Sequence, residues 1–285
     1  MSEPRVSVIV STYNRPAALA AVLRGLLAQS REDFEVIVSD DGSGPETRAM
    51  VRSCMQDFGG RLHYLWQEDR GFRAAAARNR ALERARGSLL CFLDGDCVPR
   101  RDFVAGHLRA ARPSVILRGS RLLLSRSMTQ ICELGAALPQ DWDRAALRRF
   151  VARGDLNRMT PVLGGIMDGL RMLGMAFRST NWRLMRGCNF SVAASAIRAV
   201  GGFDESYEGW GYEDSDLCVR LLHHGLRIRQ APAETCVVHL WHAERPRGGE
   251  PANRQRLLDV LGTRRIRAVR GLRLPEPAAT TPHFA

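Results

Sequence analysis

The chain has 285 residues, 45% of them hydrophobic and 25% charged, which suits one large α/β domain or two small ones and excludes an intrinsically disordered chain. Its net charge of +12 is carried by arginine alone, since the sequence contains no lysine; this favours anionic partners such as nucleotides, anionic saccharides or acidic membrane surfaces, and no nucleic-acid-binding signature accompanies it, so nucleic acid is set aside as a partner. Seven cysteines stand singly with no Cys-x-x-Cys pair, no stretch is apolar enough to span a bilayer, and Met1-Ser2-Glu3 does not read as a secretory start, so the expected setting is the cytoplasm.

The β-branched run from Val6 to Thr12 predicts a first buried strand, followed by the loop Tyr13-Asn14-Arg15 and a helix begun by Pro16 and running to about Gln29. Phe34 to Ser39 reads as a second strand that ends in Asp40-Asp41-Gly42-Ser43. A helix from Pro45 to about Phe58, a strand from Leu62 to Gln67 and an Ala/Arg-rich helix from Arg73 to Arg86 follow, with Gly87 taken as the stop residue of that helix. Next comes Leu89-Leu90-Cys91-Phe92-Leu93-Asp94-Gly95-Asp96, an apolar run that fits a strand buried on both faces and delivers two carboxylates to its carboxyl end. Strands alternating with helices in this way predict a parallel, three-layer α/β sheet.

From Arg121 to Arg186 the pattern is weaker. Asp141 to Arg153 reads as helical, and Met159 to Phe177, rich in Gly, Met and Leu, is open to four readings: a packed helical insertion, a mobile flap, part of an acceptor site, or an amphipathic segment on a membrane surface. Definition returns with a short strand over Arg186 to Val192 and a brief helix. Then come Gly209-Trp210-Gly211-Tyr212-Glu213-Asp214, opening a helix that stops at Gly225, and strands near Arg227 and from Thr235 to His239. Residues 272–285 are expected to form a flexible tail.

Four motifs carry chemistry. Asp94 and Asp96 at a strand end suit a hard divalent cation that also binds substrate phosphates, the alternative being an ordinary Asp-Gly turn. Asp40 and Asp41, at the same sheet edge, suit contacts to ribose hydroxyls or a base N–H, again with a turn as the alternative. Glu213 and Asp214 open a helix, where the dipole favours acidic residues whatever their role; beside the aromatic plate of Trp210 and the flexible Gly211, however, a carboxylate is placed to act as general base on a sugar hydroxyl. His239 and His242 follow a strand and, together with Asp96, would make a mixed carboxylate–imidazole site better suited to Mn²⁺ than to Mg²⁺.

Taken together, these segments resemble the family 2 inverting glycosyltransferases of the GT-A fold. The resemblance rests on Val6 to Arg15, Ser39-Asp40-Asp41-Gly42-Ser43, Arg73 to Arg78, and Phe92 to Asp96 at the family's DxD position. The second half, from Gly187-Cys188-Asn189 through Gly201-Gly202-Phe203-Asp204-Glu205 to Asp214, looks like the catalytic region of β-1,4-galactosyltransferases and bacterial chondroitin-type polymerases. The implied architecture is one GT-A domain over residues 1–271: a nucleotide-binding half to about 119, a helical insertion over about 120–185, an acceptor and catalytic half over about 186–251, and a C-terminal helix over about 252–271. The resemblance implies that Thr12, Tyr13, Asn14, Arg15, Asp40, Asp41, Arg78, Asp94 and Gly95 hold a nucleotide-sugar. It further implies that Asp96, His239 and His242 hold Mn²⁺ or Mg²⁺, that Asp214 is the base, and that Glu213, Trp210 and Gly211 meet the acceptor. Tyr212 departs from the galactosyltransferase pattern, which has glycine there, so the acceptor does not carry over.

The implied activity is transfer of a hexose or N-acetylhexosamine from UDP-galactose, UDP-N-acetylgalactosamine or UDP-glucose, in that order of preference, to a glycan or lipid-linked acceptor, with a peripheral contact at the inner face of the membrane as an open reading. The rival readings are a sugar-nucleotide nucleotidyltransferase, for which the phosphate loop after the first strand has the wrong residues, and a non-catalytic nucleotide-sugar or glycan binder.

Overall fold

The computed structural model describes residues 4–157, 178–243 and 250–272. The segment Met159–Phe177 and all of the expected tail except Leu272 lie outside the described residues. Seven strands form the central sheet: β1 (Val6–Thr12), β2 (Phe34–Asp40), β3 (Leu62–Trp66), β4 (Leu89–Asp94), β6 (Val115–Arg118), β8 (Asn189–Ala193) and β9 (Arg227–Gln230), in the order β3-β2-β1-β4-β8-β6-β9. Every pairing is parallel except those of β8, which runs antiparallel to both β4 and β6. The sheet is therefore mostly parallel, as the alternation of elements predicts.

Successive side chains on a strand point to opposite faces, and β1 shows the consequence. Val6, Val8 and Val10 enter one core, with Leu19, Val22, Leu23 and Leu26 of α1 (Pro16–Leu27), Val51 of α2 (Pro45–Cys54), and Phe103 and Val104 of α4 (Phe103–Ala110). Ile9 enters a second core on the other face, with Ala75, Ala81 and Leu82 of α3 (Ala74–Arg84), Ile197 of the short helix α7 (Ala194–Ala199), and Leu217 and Leu221 of α8 (Glu213–His223). Two helical layers thus enclose the sheet, which is why its strands read as continuous apolar runs. Phe92 of β4 stacks on Phe190 of β8 with ring centroids 4.5 Å apart, fixing the junction between the parallel half and the antiparallel strand.

A second, three-stranded sheet joins β5 (Cys97–Pro99), β10 (Val237–His239) and β7 (Arg121–Leu123) in the order β5-β10-β7. Residues 121–123 were expected to open an insertion, yet they pair in parallel with β10 and so belong to the site's framework. Helices α5 (Arg126–Glu133) and α6 (Arg144–Ala152) follow, the second matching the expectation over Asp141 to Arg153 with a short 3-10 turn at Pro139–Asp141 before it. The last helix, α9 (Glu250–Gly262), is shorter than the expected 252–271 at its carboxyl end; residues 263–272 instead run back over the Gly201–Glu205 turn, where Ala268 N–H donates to Val200 O and Leu272 N–H to Gly201 O. Gly87 also has a different role from the expected helix stop. Helix α3 ends at Arg84, and a Cβ on Gly87 would lie 2.4 Å from Ser7 N, so glycine is required because the chain passes against β1.

Candidate active site

Three parallel strands deliver the amino-terminal half of the site to one edge. Thr12 pairs with Asp40, and Ser11 pairs with Asp94, so the polar ends of β1, β2 and β4 lie side by side. The loops beyond them lock together: Asn14, at φ 50°, donates its N–H to Ser43 Oγ (2.8 Å) and accepts Gly44 N–H at Oδ1 (2.9 Å). Tyr13 O–H donates to Asp69 Oδ2 at 2.8 Å.

Asp40 is buried, accepting from Ser43 N–H at Oδ1 (2.8 Å) and from Tyr64 O–H at Oδ2 (2.6 Å). Asp41 accepts from Gln67 Nε2 (2.6 Å) and Arg73 N–H (2.7 Å), and burial raises its pKa despite these bonds. Each carboxylate oxygen still offers a second lone pair, so both residues shape the loop while keeping acceptor capacity toward a ligand.

Arg78 joins the two halves. It is buried on α3, with Nε donating to Ser11 Oγ (3.0 Å), Nη2 to Asp94 Oδ1 (3.3 Å) and Nη1 to Glu213 Oε1 (2.9 Å). Burial alone would lower its pKa, but Glu213 and Asp94 hold it above the ordinary value. Burial also pushes Asp94 up to about 6, against the pull of Arg78 and with repulsion from Asp96, Glu213 and Asp214 adding to the rise. Glu213 is raised by burial and by its neighbour Asp214. Gly95 is where β4 turns: its N–H donates to Ser11 O at 2.7 Å, and a Cβ there would crowd that oxygen at 2.9 Å.

The small sheet closes the site across a long stretch of sequence. His239 on β10 pairs with Cys97 on β5, and Leu240 N–H donates to Asp96 O at 2.8 Å, so the chain following β10 is held against the carboxylate after β4. His239 Nε2 lies 3.7 Å from Asp96 Oδ1 and His242 Nε2 lies 3.5 Å from Asp96 Oδ2. Ligand atoms of all three lie within 4.8 Å of one another. One hard oxygen and two borderline nitrogens at that spacing fit a first-row divalent ion, Mn²⁺ better than Mg²⁺. Burial lowers the pKa of His239, which keeps the imidazole in the neutral form that ligates.

Arg15 ends the loop between β1 and α1, and its side chain turns toward Asp96. Its Nη1 donates to Asp96 Oδ2 (2.8 Å), while Nη2 reaches Glu133 Oε1 (3.2 Å) on α5 and Trp241 O (3.3 Å). Any cation on Asp96 would share that carboxylate with a guanidinium. Glu133 was not singled out by the sequence; its approach depends on where α5 packs, which no local pattern fixes.

In the second half of the chain, Glu213 and Asp214 occupy the first turn of α8. Asp214 is half-buried, its Oδ1 taking Ser215 N–H at 2.7 Å, and its Oδ2 would lie 2.7 Å from a Cβ on Gly187. Gly187 thus makes room for the carboxylate. Trp210 is half-buried, not the exposed plate that the Gly-Trp-Gly pattern predicts. Tyr212 adopts φ 73°, the left-handed region that costs a non-glycine residue about 1 kcal/mol, which gives a physical reason for the glycine of the galactosyltransferase pattern. Asp216, by contrast, is wholly buried against Arg220 Nε at 2.7 Å and serves the core. A separate groove lined by Glu32, Arg61 and Arg86 lies at the start of β2, away from all these residues.

Both halves of the chain resemble known proteins. Residues 7–114 match the model described as glycosyl transferase family 2, and residues 175–243 match the one described as N-terminal domain of galactosyltransferase. A validoxylamine A glucosyltransferase of Streptomyces hygroscopicus subsp. jinggangensis is 35% identical over 233 residues, covering 78% of this chain and 52% of that protein. A chondroitin synthase of Escherichia coli is 28% identical over 229 residues, covering 79% of this chain and 33% of its own. Among solved structures, a mannosyltransferase of Pyrobaculum calidifontis in complex with GDP-Man and Mn²⁺ superposes with a TM-score of 0.56 at 22% identity, over 90% of this chain and 63% of that one. The chain therefore carries a glycosyltransferase family 2 domain joined to a galactosyltransferase-type second half, on a GT-A-type fold. It spans about half the length of the glucosyltransferase it matches.

Proposed function

We propose that this domain is a metal-assisted, inverting glycosyltransferase that moves a hexose or N-acetylhexosamine from a UDP-sugar to a hydroxyl of a glycan or lipid-linked acceptor. The observation that carries the proposal is the convergence of the Asp96–His239–His242 cluster with Glu213 and Asp214, linked through Arg78 and Asp94. Asp96, His239 and His242 would hold the ion, which supplies Lewis-acid stabilisation of the departing nucleoside diphosphate. Thr12, Tyr13, Asn14, Asp40 and Asp41 line the loops for the nucleoside. Asp94 faces the ribose or sugar, and Arg78 keeps its carboxylate and that of Glu213 in place. Asp214 takes the proton of the acceptor hydroxyl as that oxygen attacks the anomeric carbon from the face opposite the leaving group, inverting its configuration. Glu213 and Trp210 orient the acceptor, with Gly211 giving the loop its turn.

The name of the glucosyltransferase relative moves UDP-glucose ahead of UDP-galactose and UDP-N-acetylgalactosamine as the first donor to try. The fold neighbour with GDP-Man makes that nucleotide-sugar the right contrast. The test is release of nucleoside diphosphate from each donor by the parent and by Asp214→Asn. The variant is expected to lose about 100-fold or more in kcat with donor binding retained. Equal turnover by both proteins would refute the base assignment. Release of pyrophosphate instead would mark a nucleotidyltransferase.

A further inference from the structure

We propose that α9 is a latch that fixes the loop carrying Trp210 and the two carboxylates, acting through Asn253 and Tyr212 as positioning residues for the acceptor. The inference rests on the reading of Gly209–Asp214 as the acceptor side. Helix α9 begins beyond residue 243, where the second family match ends, so nothing in the family comparison assigns it a role.

The buried face of α9 is Asn253, Leu257 and Val260. Their spacing places all three on one stripe of the helix. Leu257 and Val260 pack on Val219 of α8, with Trp182 and Tyr212 against the same cluster. The third member is an amide where a third apolar side chain would be expected. Asn253 is 1% exposed, and its Nδ2 lies 3.0 Å from Glu208 O, 3.4 Å from Gly209 O and 3.4 Å from Trp210 O. A buried amide is costly unless bonded; here its two N–H groups are directed at three successive carbonyls of the loop that leads into Glu213. Replacing this one side chain would release all three.

Tyr212 supplies the second attachment. It holds the left-handed conformation immediately before Glu213, its ring packs in the α9 cluster, and its O–H donates to Glu250 Oε1 at 3.4 Å, in the first turn of α9. The loop has the means to move otherwise. Gly209 and Gly211 have φ of 79° and 101°, and nothing lies within 4 Å of a Cβ built on Gly211. A loop with two such glycines stays in one shape when both its carbonyls and its tyrosine are held. Helix α9 does both, and where the galactosyltransferase pattern has a glycine free to flex, this chain has a tethered ring. The consequence falls on acceptor binding, since Arg78 holds Glu213 from the donor side independently of α9.

The test uses the full chain and two variants. Asn253→Asp keeps the shape and removes both N–H donors; Tyr212→Phe removes only the phenol. For Asn253→Asp, loss of these bonds is expected to raise the acceptor KM about tenfold, with acceptor-independent hydrolysis of the donor unchanged. Tyr212→Phe is expected to shift the acceptor KM in the same direction by a smaller factor. Amide hydrogen exchange supplies a readout independent of activity: exchange in residues 207–214 should rise in Asn253→Asp while β1 and β4 keep the parent's protection. An unchanged acceptor KM together with unchanged exchange in both variants overturns the proposal, as does a parallel fall in donor hydrolysis, which would mark a general loss of structure. If Asn253→Asp does not fold, Tyr212→Phe decides by the same two measurements. A parent that neither transfers nor hydrolyses any sugar would refute the functional reading instead, and the exchange experiment would still judge the latch.

Discussion

Arg78 shows how much of the site depends on a single side chain. Its guanidinium is 7% exposed and faces Asp94 at 3.3 Å and Glu213 at 2.9 Å, the latter 11% exposed. The buried carboxylate of Glu213 and the half-buried one of Asp94 are tolerable near each other because the cation lies between them. Removing it would leave uncompensated buried charge, so Arg78→Met is expected to destabilise the fold by about 3–5 kcal/mol. A urea titration checks this, and the loss should shrink as the pH is lowered and the two carboxylates, both held above their ordinary pKa by burial, take up protons. A constant difference across pH would show that the cost arises from packing. Arg15 makes the complementary point. Its contacts to Asp96 and Glu133 follow from the packing of α1 against α5 and were not legible in Tyr13-Asn14-Arg15-Pro16 itself.

At the scale of elements, the strand ends were legible because the chemistry is local. A long apolar run that stops at Asp40 or Asp94 fixes which end of the strand is polar, and parallel pairing then aligns those ends. The strands expected over Arg186 to Val192 and Thr235 to His239 formed as β8 and β10, but their pairing was not legible, nor were the three-residue strands β5 and β7, because so short a strand carries no periodicity and its partner is set by long-range register. His107 of α4 shows what that junction requires. It is fully buried, with Nε2–H donating to Asn189 Oδ1 (3.3 Å) and Nδ1 facing Ser191 Oγ (2.8 Å), both on β8. Burial lowers its pKa from 6.5 to about 4. The folded chain keeps the ring neutral while the unfolded chain takes up the proton at 6.5, so stability is fully present above pH 6.5 and is lost as the pH falls toward 4, by up to about 3 kcal/mol. Unfolding midpoints at pH 7 and pH 4.5 should differ less in His107→Gln than in the parent; identical differences would rule out this histidine as the source.

For the whole molecule, the central feature is that each half of the site is incomplete alone. The amino-terminal half presents Asp94 and Asp96 at the sheet edge. The second half returns His239 and His242 through β10, and Glu213 and Asp214 through α8. The sequence could name these residues by motif, and the resemblance gave them roles. That they meet depends on β10 pairing with β5 directly after Asp96. Asn253 escaped notice for a related reason: a polar residue on the apolar stripe of α9 has meaning only once the carbonyls it faces are known. The claim that one ion links the two halves can be measured by titrating Mn²⁺ into the parent, Asp96→Asn and His239→Ala in the presence of UDP and following the electron paramagnetic resonance of the free ion. Uptake of Mn²⁺ by the parent that is lost in both variants, one from each half, is the predicted result. Uptake that persists in His239→Ala at the parent's affinity would contradict it.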